Sequence, residues 1–363
     1  MTSERIAVVG CGLIGTSISM AAGSAGTNVR GFDLNAKTLA LSAERSGLQP
    51  TGSLAECVAD ASLVFVCIPI AAIPAAVAEA LDAAPGAVVT DAGSVKSEVV
   101  EGVEVKAAVD ALGRFVGSHP MGGSERSGPG AASASLLDGA VWVLTPTART
   151  EPGTVSRVEA FAEQVGATPL TMEPLRHDRA VAIVSHLPQV VSTALMGLAA
   201  REEQGEPETL LLAAGGFRDL TRLAASNPEL WADILRSNRD ELGRAIDLYI
   251  EDLARLREDI RAGEASQLER ALREATKARL ELTAKPQVRA GVAILQIPVP
   301  DRPGVLADLT AALGERSVNI EDLQIVHSPE GGRGSVHITV AASQADDATR
   351  AIGEHGFEAA RLA

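Results

Sequence analysis

A short apolar strand that runs into three closely spaced glycines constrains this chain more than any other feature. Residues 6–9 read Ile-Ala-Val-Val, and Gly10, Gly12 and Gly15 follow before an apolar helical run. The first glycine allows a tight turn, the second a close approach of a diphosphate, and the third close contact between helix and strand. Free N–H groups at the helix N-terminus then bind the diphosphate. The pattern predicts a dinucleotide-binding βαβ unit at the start of the chain.

The acid that closes the second strand predicts which dinucleotide binds. Asp33 follows Gly15 by 18 residues and ends the strand after the first helix. Its carboxylate would accept hydrogen bonds from the adenosine ribose and repel a 2′-phosphate, so NAD is expected rather than NADP. Lys37 leaves NADP open, because its ammonium group could hold a phosphate. Further predicted cofactor contacts are Leu13 and Ile14 in the glycine loop and Pro69 at the end of a later strand.

The acidic composition narrows the classes of partner. The 363 residues carry a net charge of −15 and three cysteines that form no CxxC pair. Such a charge argues against nucleic acid and anionic membrane surfaces, and the cysteines indicate a reducing cytoplasm. No apolar run is expected to reach the roughly 20 residues that span a bilayer, and no metal site is predicted. Because the whole chain repels anions, an anionic substrate would need arginines close to it.

Three regions with different patterns follow one another along the chain. Up to residue 174, apolar strands alternate with helices, which predicts an α/β fold with a Rossmann-like, doubly wound parallel sheet. Residues 175–284 have helical periodicity and predict an all-α domain that closes the cleft and contributes a dimer interface. Residues 285–290 are expected to be a linker, and residues 291–363 show the βαββαβ order of a ferredoxin-like domain.

Two polar residues are predicted at the carboxyl ends of neighbouring strands, where ligands of such a sheet bind. His119 directly follows the strand 115–118 and begins a glycine-rich loop, and Ser94 follows the strand 87–91. Histidine titrates near neutral pH and can take a proton from a hydroxyl group while hydride leaves the same carbon. Ser94 could orient the imidazole or contact the nicotinamide. The alternatives are a structural histidine and a serine without a catalytic role.

The helical region contains two further groups of candidate site residues. Arg218 and Arg222 are four residues apart, so on one helix they share a face. Paired guanidinium groups in so acidic a protein suggest a dicarboxylate substrate, although a surface salt-bridge face is an equally good interpretation. His186 and Gln189 flank Pro188, which would kink a helix towards the cleft. A histidine such as His186 is, taken alone, more often structural than functional.

A tight turn in the C-terminal region is a candidate ligand site. It runs from a strand into a helix and contains Asp301 and Gly304, and Asn319 opens the next strand. Exposed N–H groups at such a turn suit the carboxylate of an amino acid. A well-capped turn without a ligand is the alternative.

Together these stretches resemble the prephenate/arogenate dehydrogenase family over essentially the whole chain. The resemblance rests on GCGLIGTS from Gly10, DAGSVK from Asp91, GSHPMGGSERSG from Gly117, SHLPQ from Ser185 and GGFRDLTRLA from Gly215. The tail, with VPDRPGVL and VNIEDL, is similar to an ACT domain, which is a small-molecule sensing module. The histidine and arginine stretches are far more specific than the glycine loop, which many dehydrogenases share.

The resemblance implies an NAD-dependent oxidative decarboxylation of a cyclohexadienol in tyrosine biosynthesis. His119 would accept the proton of the ring hydroxyl, and Ser94 would position the imidazole. A neutral His119 is needed, because a cationic one would oppose the positive charge that develops on the carbon losing hydride. Arg222 would hold the ring carboxylate. The family pattern places Arg218, Ser124 and Glu125 near the substrate side chain.

The resemblance leaves the choice of substrate open. Many prephenate-specific members carry a second histidine in the SHLP motif, where this chain has Gln189. Conversion of prephenate to 4-hydroxyphenylpyruvate is favoured, with conversion of arogenate to tyrosine as the alternative. The ACT-like tail also implies an effector, tyrosine or phenylalanine, bound near Asp301, Gly304 and Asn319. The pattern of the helical region predicts a homodimer.

Two other functions are compatible with a dinucleotide-binding domain. A 3-hydroxy-acid or imine dehydrogenase would rely on a lysine base or on no base, so His119 argues against it. A non-catalytic regulator that binds NAD and an amino acid would not need a base beside a nicotinamide. Both are therefore weaker interpretations than the cyclohexadienol dehydrogenase.

Overall fold

One large sheet organises the N-terminal part of the protein. The computed structural model describes residues 5–122, 127–205, 208–283, 292–300, 302–327 and 333–362. Within them, eight strands form a sheet in the order β3-β2-β1-β4-β5-β6-β7-β8. The strands are β1 (Arg5–Val9), β2 (Asn28–Phe32), β3 (Gln49–Pro50), β4 (Leu63–Val66), β5 (Val88–Asp91), β6 (Phe115–Pro120), β7 (Val141–Thr145) and β8 (Thr168–Thr171).

Helices cover both faces of this sheet. They are α1 (Leu13–Ser24), α2 (Ala36–Ser46), α3 (Leu54–Val58), α4 (Ile73–Ala83), α5 (Ser97–Lys106) and α6 (Pro152–Gln164). Successive residues of the central strands face two separate hydrophobic cores: in β1, Ala7 and Val9 face one, and Ile6 and Val8 face the other. Strand β4 alternates in the same way, and all four of its residues are buried. The predicted doubly wound sheet is confirmed.

One pair of neighbouring strands departs from the predicted parallel arrangement. β6 and β7 are antiparallel, with Gly117 opposite Thr145. A parallel return would need a crossover connection, which is usually a helix. The described part of the connection contains only the short 3₁₀ helix Pro129–Ala131, so the chain turns back beside β6. β8 then pairs with β7 in parallel through the crossover helix α6.

The region after β8 is helical, as predicted. Its helices are α7 (Pro174–Val181), α8 (Leu187–Glu202), α9 (Gly215–Thr221), α10 (Pro228–Ser237), α11 (Arg239–Ala262) and α12 (Ala265–Thr283). By internal packing the chain forms two compact units, one of residues 1–201 with 221–249 and the other of residues 202–220 with 250–363. The domain boundaries at residues 174 and 284 stay predictions, and the predicted linker 285–290 lies outside the described residues.

A π-helical turn, Ala182–His186, joins α7 and α8 into one continuous helix. Pro188 lies just beyond the turn and has no N–H to donate to the carbonyl four residues earlier. Within the described residues, the joined helix, Pro174–Glu202, is the one helix that is long and apolar enough by length and composition to cross a membrane, and its most apolar 18-residue window has a mean hydropathy of 1.5. The expectation that no such run exists is therefore wrong. The core helix of a folded domain passes the same test, and this helix buries His177, Asp178 and Gln189 in the first unit.

The C-terminal residues form a smaller sheet with its own core. Its described strands, β9 (Val292–Pro300), β10 (Asp322–His327), β11 (Arg333–Ala341) and β12 (Ala360–Leu362), pair in the antiparallel order β10-β11-β9-β12. Helices α13 (Val305–Glu315) and α14 (Ala345–Glu354) pack on it through Leu309, Leu313 and Ile352. The predicted ferredoxin-like arrangement is confirmed.

We expect a chain that ends at residue 284 to fold and to keep the eight-stranded sheet. The reason is that the sheet of β9–β12 has a hydrophobic core of its own. Thermal unfolding followed by circular dichroism should show a cooperative transition for the shortened chain and another for residues 291–363 alone. Loss of a cooperative transition in the shortened chain would contradict the predicted boundary.

Candidate active site

A cavity of about 400 Å³ opens at the carboxyl ends of β1, β4, β5 and β6. This is the edge at which ligands bind to doubly wound sheets. Six of the predicted site residues line it: Gly12, Leu13, Ile14, Pro69, Ser94 and His119. The structure therefore brings the glycine loop, the serine and the histidine to one site, although they come from three separate stretches of sequence.

The glycine loop has the geometry of a diphosphate site. Gly10 has a φ of +93°, and a Cβ atom added there would overlap the carbonyl oxygen of Cys67. A Cβ atom on Gly15 would overlap the carbonyl oxygen of Gly10, so helix α1 packs directly on the turn. Beside Gly12 there is open space, and no side chain caps the N-terminus of α1. The first N–H groups of that helix are thus available to an anion.

Asp33 is held at the end of β2 by main-chain hydrogen bonds. Its Oδ2 accepts from the N–H of Cys11 at 2.8 Å and its Oδ1 from the N–H of Asn35 at 2.8 Å. The side chain of Asn35 caps α2 by accepting from the N–H groups of Lys37 and Thr38. These two N–H groups are already bonded and do not offer a 2′-phosphate a site, which agrees with the preference for NAD.

His119 ends a chain of hydrogen bonds that the sequence did not reveal. Its Nδ1 lies 2.9 Å from Nε2 of His177, and Nδ1 of His177 lies 2.8 Å from Oδ1 of Asp178. The carboxylate of Asp178 also accepts from the N–H groups of Lys96 at 2.8 Å and Ser97 at 2.7 Å. His177 and Asp178 are 1% and 2% exposed, so this chain is shielded from water.

The carboxylate of Asp178 determines which ring nitrogens of His177 and His119 carry a proton. Burial raises the pKa of the Asp178 carboxyl, but the hydrogen bonds from His177, Lys96 and Ser97 outweigh it and hold the pKa below its ordinary value. An ionised Asp178 only accepts, so His177 carries its proton on Nδ1 and accepts at Nε2. His119 therefore donates from Nδ1 and keeps a lone pair on Nε2. The arrangement makes Nε2 of His119 the basic atom.

The surroundings of His119 keep it neutral. Burial lowers its pKa well below the ordinary value of 6.5, and the nearby His177, Lys96 and His186 lower it further. Lys96 is fully buried, forms an ion pair with Asp91 and donates to the carbonyl oxygen of Ser118 at 2.7 Å. The neutral imidazole that the resemblance called for is thus built into the site by desolvation and by a buried cation.

Of the other predicted substrate residues, His186 and Gln189 are buried and do not line the cavity. Burial lowers the pKa of His186 to about 4, so it too is neutral at physiological pH. Nε2 of Gln189 donates to the carbonyl oxygen of Leu223 at 2.9 Å. Its Oε1 is buried and has no hydrogen-bond partner among the described residues.

The two arginines are exposed and do not line the cavity. Arg218 lies in α9, whereas Arg222 begins a separate 3₁₀ helix, Arg222–Ala225. Their shared face therefore stays a prediction. Ser226 and Asn227, immediately after that 3₁₀ helix, do line the cavity. Ser124, Glu125 and Asp301 lie outside the described residues.

Helix α10 supplies one side of the cavity, which sequence reasoning missed. Leu230, Trp231 and Ile234 face it, and their spacing of one, three and four residues is the only signal of a shared helical face. Trp231 meets His186 edge to face, with the ring centroids 6.1 Å apart. The cavity is thus lined by aromatic and aliphatic side chains, which suit a ring-shaped substrate, as well as by the polar strand ends.

The chain is similar to dehydrogenases of known sequence and structure. The chain is 30% identical to the prephenate dehydrogenase of Bacillus subtilis (strain 168) over 96% of its own length and 94% of the relative's. A crystal structure of prephenate dehydrogenase from A. aeolicus in complex with hydroxyphenyl propionate and NAD+ superposes with a TM-score of 0.72, at 28% identity, covering 78% of this chain and 99% of that one. For Synechocystis arogenate dehydrogenase the TM-score is 0.67, at 31% identity, covering 76% and 98%.

Family models match all three regions of the chain. The nucleotide-binding domain of prephenate dehydrogenase matches residues 21–170, its dimerization domain residues 173–274, and the ACT domain residues 293–357. With the glycine loop and the half-buried imidazole of His119, these matches define an NAD-dependent dehydrogenase. The chain belongs to the prephenate dehydrogenase family.

We expect the pH dependence of turnover to show the lowered pKa of His119. A lowered pKa keeps the base neutral in more acid solution, so kcat should stay constant from pH 8 to below 6.5 and fall only at more acid pH. Replacing the ion pair by Lys96→Met with Asp91→Asn removes a cation near His119 and should move the fall towards pH 6.5. Lys106→Met is the matched control, because Lys106 is exposed at the far end of helix α5, which begins directly after Lys96. A wild-type profile that already falls at pH 6.5 would contradict this account.

Proposed function

We propose that the protein is a cytoplasmic prephenate dehydrogenase, which converts prephenate to 4-hydroxyphenylpyruvate with NAD. The observation that carries the proposal is the neutral imidazole of His119, which lines the same cavity as the glycine loop and Ser94. A hydroxyl group bound there would meet a base on one side and the cofactor on the other. Gly10, Gly12, Leu13, Ile14, Gly15, Asp33 and Pro69 are the proposed cofactor contacts.

The proposed proton path begins and ends at His119. NAD, when bound, supplies the acceptor for the hydride. Nε2 of His119 takes the proton of the ring hydroxyl, and the resulting positive charge is shared with His177 and balanced by Asp178. When CO₂ leaves, the ring electrons return to the oxygen, and His119 gives the proton back to form the phenol. Ser94 lines the same cavity and would hold the hydroxyl or the imidazole in place.

The carboxylates of the substrate need local cations, because the chain as a whole carries a charge of −15. Arg222 precedes the cavity residues Ser226 and Asn227 by only a few positions, so its long side chain is the proposed anchor of the ring carboxylate. Arg218 is proposed to act near the substrate side chain, together with Ser124 and Glu125 from the loop after His119.

Arogenate is the second candidate substrate, and one observation favours it. The buried Oε1 of Gln189, which is only 5% exposed as a residue, has no donor among the described residues. An unpaired buried acceptor is costly. Gln189 does not line the cavity, so the amine of arogenate would supply the missing N–H groups once the side chain turns towards it. Prephenate carries a keto group at the same position and has no such donor. His186, three residues earlier, would lie on the same side of the substrate.

We further propose regulation by tyrosine or phenylalanine and assembly as a homodimer. Gly304 has a φ of +93° and leaves the N-terminus of α13 without a side-chain cap, so its N–H groups could bind a carboxylate near Asn319 and Asp301. Helix α11 exposes five large apolar side chains, which are Leu248, Ile250, Leu253, Leu256 and Ile260. A second copy of the chain would cover them, in keeping with the matched dimerization domain.

The proposal is tested by NADH production with prephenate and with arogenate side by side, with and without tyrosine. His119→Asn should keep NAD binding and lower kcat by roughly a hundredfold to ten-thousandfold, since it removes the base. His355→Asn, a histidine of the C-terminal domain, is the matched control. Near-normal turnover of His119→Asn would remove His119 from its role, and no NADH from either substrate would reject the proposal.

Gln189→His should shift the choice of substrate towards prephenate. It replaces the unpaired carbonyl oxygen by an imidazole, so the ratio of kcat/KM for arogenate to that for prephenate should fall by about tenfold or more. The same substitution at Gln164, on the exposed end of α6, is the control. An unchanged ratio would show that Gln189 does not contact the side chain of the substrate.

A further inference from the structure

Asn238 connects two parts of the site that the sequence keeps far apart. It lies between α10 and α11, is 4% exposed, and donates from Nδ2 to the main-chain oxygen of Asp178 at 2.9 Å. The same nitrogen lies 3.0 Å from Nδ1 of His186. Its own main chain is fixed on both sides, because its N–H donates to Ile234 and its carbonyl accepts from Leu242.

These contacts determine the protonation of His186. The carbonyl oxygen of Asp178 only accepts, so the amide nitrogen of Asn238 must face it, and that nitrogen also only donates. Nδ1 of His186 is therefore the acceptor, and the ring carries its proton on Nε2. This agrees with the pKa of His186, which burial lowers to about 4.

We propose that Asn238 is a positioning residue for the dehydrogenase reaction. Its side-chain amide holds the main chain of Asp178, the residue that anchors the hydrogen-bond network leading to His119. The same amide fixes His186 as a neutral ring with its proton on Nε2. The part that concerns turnover rests on the proposed function. The tautomer of His186 does not, because it follows from the hydrogen bonds alone.

The charges around His186 explain why an uncharged hydrogen-bond donor at position 238 keeps His186 neutral. Asp178 raises the pKa of His186, whereas burial and the neighbouring His177 lower it. A carboxylate in place of the amide would repel the carbonyl oxygen of Asp178 and draw a proton onto Nδ1 of His186. A cationic His186 would then further weaken His119 as a base, because charge on His186 lowers the pKa of His119.

The test compares the wild-type enzyme with Asn238→Asp, which has the same size and shape but cannot donate in its ionised form. The chain has six histidines, so their ring signals can be assigned by NMR through single substitutions. We expect the wild-type His186 to carry its proton on Nε2 and to stay neutral down to about pH 4. In Asn238→Asp its pKa should rise by at least about one unit, as beside any new anion.

Turnover provides the second measurement. Asn238→Asp should lower kcat by about tenfold to a hundredfold, because it displaces Asp178 and with it the hydrogen bonds that lead to His119. The loss should increase at acid pH, and the Kd for NAD should be unchanged. Asp240→Asn is the matched control, because it changes an exposed side chain in the first turn of α11, which begins directly after Asn238. It should leave the pH profile and the histidine titrations as in the wild type.

Three results would overturn the proposal. The first is a wild-type His186 with its proton on Nδ1, a result that is decisive even if Asn238→Asp fails to fold. The second is an unchanged titration of His186 and an unchanged kcat profile in folded Asn238→Asp. The third is an equal effect of Asp240→Asn. If neither cyclohexadienol is a substrate, the turnover measurement fails together with the proposed function, while the NMR result still decides the role of Asn238 in fixing His186.

Discussion

The hydrogen bond between Nδ1 of His119 and Nε2 of His177 decides which atom of the site is basic. Asp178 fixes the proton of His177, and that proton fixes the one on His119, so a free lone pair is left on Nε2. Burial and the cation of Lys96 then keep the ring uncharged. Neutral His119 can therefore accept a proton without first losing one. An enzyme that removes hydride from a carbinol carbon requires such a base for the hydroxyl proton.

The ends of the parallel strands hold His119 and its hydrogen-bond partners in place. β5 and β6 lie side by side, and three polar residues bind one another there: Asp91 at the end of β5, Lys96 just before α5, and Ser118, which precedes His119 in β6. The same edge of the sheet carries the glycine loop after β1. Because adjacent parallel strands end together, residues that are about a hundred positions apart in the sequence meet in one cavity.

The sequence predicts the parts that depend on short patterns. The glycine loop, the position of Ser94 and His119 at strand ends, and the ferredoxin-like tail are local signals, and the structure contains each of them. His177, Asp178 and Asn238 could not be found in this way, since a His-Asp pair or a single asparagine has no periodicity that marks it as buried. The antiparallel β6–β7 pair and the π-helical turn before His186 likewise depend on tertiary packing and on a proline without an N–H group.

The most direct test of this account is the protonation of His119 itself, measured by NMR of the ring nitrogens in the enzyme with NAD bound. The hydrogen-bonded chain predicts a neutral ring with its proton on Nδ1 at every pH between 8 and 6.5. A ring that titrates near the ordinary pKa of 6.5, or that carries its proton on Nε2, would contradict the central claim that the buried chain prepares His119 as the base.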